Sequence, residues 1–106
     1  MLTATWPIRV MHDNGSVAQL REDQALRLLS PLMRQMDRAD ALDEATFAAM
    51  ETVISLMRAE DRRDRHHGAE GIEYMREALA SARASVVAAG YALTTATDAA
   101  RATARG

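Results

Sequence analysis

The chain has 106 residues, of which 48% are hydrophobic and 26% are charged, and its net charge is −2. This length suits one domain, the composition argues against a disordered chain, and the charge excludes a strong bulk attraction to nucleic acid or an anionic membrane. Cysteine is absent, which excludes disulfides and thiolate chemistry. Since residues 1–15 lack a secretory signal pattern and no long apolar run follows, we expect a cytoplasmic protein without membrane association.

The first fifteen residues are predicted to form an extended arm, because apolar residues alternate there with the period of a β-strand. Pro7 would restrict such a strand to a sheet edge. Asp13-Asn14-Gly15 is a turn signal, which either closes a short hairpin or precedes a helix. Ser16 and Gln19 have the spacing of a helix-capping box, which favours the helix. The alternating residues are Leu2, Ala4, Trp6, Ile8 and Val10.

A first helix is predicted over residues 16–38. Its apolar residues recur at helical spacing, and Pro31 interrupts the pattern. Since proline removes a backbone hydrogen bond and crowds the preceding turn, we expect a kink at this point or a restart with Ser30 as the new cap. The residues expected on its apolar face are Ala25, Leu28, Leu29, Leu32 and Met36.

A second helix is predicted over residues 43–67. Asp43 is a suitable N-cap, and Leu42 and Phe47 have the spacing of a hydrophobic staple around it. The apolar stripe ends at a densely charged segment over residues 58–67, where Gly68 is placed to stop the helix. The stripe consists of Phe47, Met50, Val53, Ile54 and Met57.

A long third helix is predicted over residues 70–103, because a heptad pattern runs through it without a break. The a positions are Ile72, Leu79, Val86, Leu93 and Ala100, and the d positions are Met75, Ala82, Ala89, Ala96 and Thr103. Small residues at the d positions allow close helix packing, as in a coiled coil. From Ala84 to Thr97 no residue is charged, which favours contact on more than one side. We therefore predict a homo-oligomer, with a monomeric three-helix bundle as the alternative. The predicted oligomer seam, called the seam from this point on, is Met75, Leu79, Ala82, Val86, Ala89, Leu93 and Ala96.

Candidate chemistry is sparse in this sequence. Histidines and carboxylates cluster over residues 61–70, but the Glu-x-x-His pairs of a helical metal site are absent, so no metal or other cofactor is expected. No nucleophile with a base and an orienting group can be assigned, and we expect no enzyme activity. An arginine ridge could contact nucleic acid weakly in an oligomer, although neighbouring carboxylates nearly cancel its charge. The ridge is Arg58, Arg62, Arg63 and Arg65.

The sequence thus predicts a mainly α protein: a three-helix bundle or helical hairpin with an extended N-terminal arm and a long, alanine-seamed C-terminal helix. We expect a single domain over residues 1–106 that acts as a non-enzymatic interaction or assembly protein, through self-association or binding of a protein partner. A small subunit of a phage-derived DNA-packaging assembly is one compatible context. A small inhibitor or adaptor that binds a host protein is the alternative, and weak nucleic-acid binding is a second one.

Overall fold

The computed structural model describes residues 17–105, and within this range the chain forms three α-helices and no strand. Helix α1 spans Val17–Arg34, α2 spans Ala41–Asp64 and α3 spans Gly68–Arg105. Helices α1 and α3 both pack on α2, and the α2–α3 hairpin has the more extensive contact. The mainly α fold with a long third helix is therefore confirmed. The predicted arm and the predicted cap at Ser16 lie outside the described residues.

Helix α1 continues through Pro31 to Arg34, so of the two alternatives predicted there, the restart with Ser30 as the cap is not observed. Its buried residues are Ala18 and Ala25. The sequence also placed Leu28 and Leu32 on the apolar face, but they are 70% and 45% exposed. Within residues 17–105, the main contact of α1 is with α2, which covers a narrow stripe of its surface.

Helix α2 begins earlier than predicted, and Asp40 is its N-cap. The Asp40 carboxylate accepts a hydrogen bond from the backbone N–H of Asp43 at 3.0 Å. Asp43 itself lies in the first turn, where its carboxylate accepts from the backbone N–H of Asp37 at 2.9 Å. The predicted cap at Asp43 and the Leu42–Phe47 staple around it are therefore wrong. Asp40 and Asp43 are chemically equivalent capping residues, so local sequence does not decide after which of the two the helix begins.

A salt bridge fixes the connection between α1 and α2. The Arg38 Nε donates to Glu44 Oε1 at 2.7 Å, and the guanidinium lies 4.1 Å from the centre of the Phe47 ring. The hydrogen bond from Arg38 lowers the pKa of the Glu44 carboxyl below its usual value. Both groups face solvent, so this contact orders the loop more than it stabilises the fold.

The turn between α2 and α3 depends on His66 rather than on Gly68. His66 has φ of 63°, the only positive φ among the non-glycine residues from Val17 to Arg105. It therefore takes the left-handed conformation that usually ends a helix at glycine. Gly68 is the first residue of α3, and the carbonyl of His67 accepts a hydrogen bond from the Gly71 N–H at 3.0 Å.

Small residues form the contact between α2 and α3. Ser85 Oγ donates to the Ala45 carbonyl at 2.8 Å, which places two backbones side by side. A Cβ at Gly71 would lie 3.4 Å from the Ala59 carbonyl oxygen, so the helices are equally close near the turn. With so little side chain between them, the two helices approach closely along the hairpin. The buried residues in this contact are Ala45, Ala48, Ser55 and Ala59 of α2, with Gly71 and Ala78 of α3.

Helix α3 has 38 residues, about 57 Å at the standard rise, and it is much longer than its partner. Because Ser85 lies beside Ala45, and α2 begins only one turn before Ala45, the far end of α3 extends past α2. Every residue from Asp98 to Arg105 is exposed. We call residues 94–105 the C-terminal extension.

Replacing His66 with glycine should stabilise the protein by about 0.5–1 kcal/mol, because glycine adopts the left-handed conformation without steric cost. His67 is the matched control, since its φ is outside that region. His67→Gly should lower stability through the added freedom of the unfolded chain. Urea unfolding measures both, and a loss of stability in His66→Gly equal to that in His67→Gly would contradict the assigned turn.

Candidate functional site

The seam residues lie on α3, and all of them except half-buried Ala82 are exposed rather than packed against α2. A neighbouring stripe, one position earlier in the heptad, makes the contact within the chain. This contact stripe consists of Gly71, Tyr74, Ala78, Ser81, Ser85, Ala88 and Ala92, all buried or half-buried. It also repeats at alternating intervals of three and four residues. Sequence reasoning missed it because its members are mostly small or polar, whereas the seam carries the larger apolar side chains.

The large apolar residues of the a and d positions are exposed to solvent. Met75, Ile72 and Leu79 are 45%, 49% and 51% exposed, whereas Leu93 and Val86 reach 69% and 70%. Val86 follows Ser85, which hydrogen-bonds to Ala45, and Leu93 lies past the start of α2. A row of side chains of this size is normally covered in a folded protein.

A groove of about 540 Å³ runs along the same side of the hairpin, between α2 and α3. Val53, Leu56 and Met57 form its α2 wall, and Met75 belongs to its α3 wall. Val53 and Leu56 are 39% and 51% exposed. Glu60 and Arg63 also line it, at the end that is closer to the turn.

Groove and seam therefore share one side of the hairpin, because Met75 belongs to both. We call this surface the open face. Its large residues are Val53, Leu56, Ile72, Met75, Leu79, Val86 and Leu93. The face carries no set of acid, base and nucleophile. Its chemistry is that of a surface that packs against another apolar surface.

A buried carboxylate lies at the turn end of the molecule. Asp61 is 2% exposed, and its carboxylate accepts hydrogen bonds from Arg62 Nη1 at 2.6 Å and Arg65 Nε at 2.9 Å. Arg65 also hydrogen-bonds to Gln19 of α1. Asp61 therefore connects the C-terminal end of α2 to the start of α1.

The predicted arginine ridge is occupied by internal ion pairs. Arg58 Nε lies 3.1 Å from Glu22 Oε2, and Arg65 pairs with Asp61. Arg63 lies 3.3 Å from Asp64 and 3.6 Å from Glu60. Since each guanidinium faces a carboxylate, the ridge offers phosphate groups a largely neutralised surface. Nucleic-acid contact by this ridge stays a prediction.

Arg62 is the most tightly held member of the ridge. Its Nε donates to Glu70 Oε1 at 3.0 Å, and the guanidinium lies 5.2 Å from the centre of the Tyr74 ring. Burial lowers the pKa of Arg62, but hydrogen bonds to Glu70 and Asp61 outweigh that effect, so the pKa is raised overall. The side chain thus fastens α2 to the first turn of α3.

The histidine cluster is not gathered into a site. His66, His67 and Glu70 are all exposed around the turn. Among residues 17–105, no group of three or more histidine or acidic side chains has the arrangement of a metal site. No helix in the same range is long and apolar enough to cross a bilayer.

Comparisons of this chain with protein-family models, with curated proteins and with solved structures found no match.

Replacing Asp61 with asparagine should destabilise the protein by about 1–3 kcal/mol, because two charged donors lose a buried ionised acceptor. Asp98 provides the matched control, since its carboxylate is 69% exposed and lies 3.9 Å from Arg101. Asp98→Asn should change stability by less than about 0.5 kcal/mol. Urea unfolding at neutral pH measures both, and equal effects would show that the Asp61 network does not hold the turn end together.

Proposed function

We propose that this protein is a non-enzymatic helical assembly protein that acts by packing its open face against another helical surface, in the first place that of a second copy. The observation that supports it most is the distribution of apolar side chains. Among the described residues, thirteen large hydrophobic side chains are exposed, whereas six of the seven buried hydrophobic residues are alanines.

The inside of the described fold contains little apolar volume. The buried hydrophobic residues are Ile54 and six alanines, and the largest fully buried side chain is that of Asp61. An alanine buries one methyl group, worth about 0.8 kcal/mol, whereas a leucine or isoleucine contributes about 1.5–3 kcal/mol. The buried positions therefore contribute little apolar burial.

Large apolar side chains lie on the outside of the fold. Leucine, isoleucine, valine and methionine side chains lie along the open face, each at least 39% exposed. Covering them removes apolar area from water, which is the main driving force of protein association. A partner that covers the open face would thus supply the apolar burial that the hairpin does not obtain from its own contact.

The alternative is that a different protein covers the open face, as in a host-binding inhibitor or adaptor. The same surface would serve both roles, and the mass of the purified protein in solution separates them. Assembly by self-association gives a dimer or a larger closed oligomer, whereas an adaptor is a monomer until it meets its partner. The DNA-packaging context stays a prediction, which favours a ring-sized oligomer.

Replacing Val86 with aspartate should break self-association, because the substitution places a charge in the middle of the seam. Val86 is 70% exposed within its own chain, so the fold of one copy should tolerate the change. Val87 is the matched control, since it is 72% exposed but lies outside the seam on the same helix. Light scattering coupled to size-exclusion chromatography measures the mass of each variant.

We expect an oligomer for the unmodified chain and for Val87→Asp, and a monomer for Val86→Asp. Circular dichroism should show the same helix content in both variants. If both variants keep the mass of the parent oligomer, the seam is not the interface. A parent chain that is a monomer at all concentrations would overturn self-association and favour the adaptor.

A further inference from the structure

We infer that two copies of this chain pair their α3 helices in antiparallel orientation, so that the C-terminal extension of each lies along the groove between α2 and α3 of the other. This arrangement rests on the proposed self-association and adds its geometry. Four features support this arrangement. They are the order of large and small residues along the seam, the arginines beside the seam, the length of the C-terminal extension and the exposed apolar area.

The order of residue sizes favours antiparallel helices. In a parallel pair each position meets itself, so Leu79 would meet Leu79 and Ala82 would meet Ala82 of the partner, and wide layers would alternate with narrow ones. In an antiparallel pair each a position meets a d position. A symmetry axis between Val86 and Ala89 then gives layers that each contain one large and one small residue. The layers pair Ile72 with the partner's Thr103, Met75 with the partner's Ala100, Leu79 with the partner's Ala96, Ala82 with the partner's Leu93, and Val86 with the partner's Ala89.

The arginines beside the seam favour this alignment over those whose axis lies nearer the N-terminus of α3. Arg76 and Arg83 occupy e positions, and e positions of antiparallel helices lie near each other. Moving the symmetry axis half a heptad toward the N-terminus of α3 would bring Arg83 against the partner's Arg83. Moving it a full heptad would bring Arg76 against the partner's Arg83. An axis between Val86 and Ala89 places Arg83 near the partner's Gly90 instead. No heavy atom lies within 4 Å of a Cβ built on Gly90, so that position is open to the long side chain.

The C-terminal extension reaches past α2 in its own chain, and its length matches that of the groove. It has twelve residues, roughly 18 Å of helix, whereas the α2 wall of the groove from Val53 to Arg63 is roughly 15 Å long. In the inferred pair, Ala96 and Ala100 of the partner lie beside Leu79 and Met75, at the level of the groove. Small residues on the extension let it approach both walls.

The area available is sufficient for a stable pair. The five large seam-side residues of α3 are 45% to 70% exposed, roughly 100 Å² each, and a stable interface buries roughly 800 Å² on each partner. Two-fold symmetry lets each chain contribute both an extension and a groove. The alanines, the threonine and the groove wall supply the remaining area.

The test uses single cysteines, because the natural chain has none and each introduced thiol is unambiguous. Met75→Cys and Ala100→Cys lie in one antiparallel layer, close enough for a disulfide. In one experiment, each variant is oxidised alone. In a separate experiment, the two variants are mixed, unfolded, refolded together and then oxidised. The products are separated by mass.

The inferred pair predicts a disulfide-linked dimer of the two variants in the mixture, and none when Met75→Cys is oxidised alone. A parallel pair would link Met75→Cys to itself, which would overturn the antiparallel arrangement while self-association stands. An oligomer that gives no linked product in the mixture would likewise overturn this alignment. A chain that is a monomer throughout would overturn the inference and the proposed self-association together.

Discussion

The contact between α2 and α3 uses the smallest side chains that the chain has, and the rest of the architecture depends on that constraint. A hairpin whose inner stripe is alanine, glycine and serine apart from Tyr74 brings two backbones close together, as the Ser85–Ala45 hydrogen bond shows. Of the large apolar residues in the described range, only Ile54 is buried, and several of the others lie on the open face, where Val86 and Leu93 expose more than two thirds of their surface. Close packing inside the hairpin and apolar exposure outside it are thus two results of one pattern.

Polar contacts hold the turn end of the hairpin and the connection that leads into α2, while the middle of the hairpin is packed by small residues. At the turn end, Asp61 is enclosed by Arg62 and Arg65, and Arg62 reaches across to Glu70 of α3. At the other end, Arg38 and Glu44 order the connection from α1. Such pairs give direction and register more than they give free energy, because most of them contact water. In the proposed assembly, the surface that covers the open face supplies further apolar burial to this hairpin.

The sequence was most informative where periodicity alone decides structure. A heptad unbroken from Ile72 to Thr103 predicted a single long helix, and one helix spans Gly68–Arg105. Prediction was poorer where two chemically similar residues compete, as at Asp40 and Asp43, or where His66 rather than glycine takes a left-handed turn. It also missed which stripe of α3 contacts α2, because period and hydrophobicity favour the seam, and only the packed structure shows that smaller residues one position earlier make the contact. The arginine ridge could be located from the sequence, but its partner Glu22 lies 36 residues away from Arg58, too far for local pattern to reveal.

Thermal unfolding at a series of protein concentrations tests most directly whether the open face is covered by a second copy. If folded chains associate through this face, the folded state is favoured by mass action and the melting temperature rises with concentration. We predict a clear rise across about a hundredfold range of concentration, and its loss in a chain that carries aspartate at position 86. A melting temperature that stays constant over that range, in a chain that unfolds reversibly, would contradict the account, because it would mean that the described helices are stable with their apolar face in water.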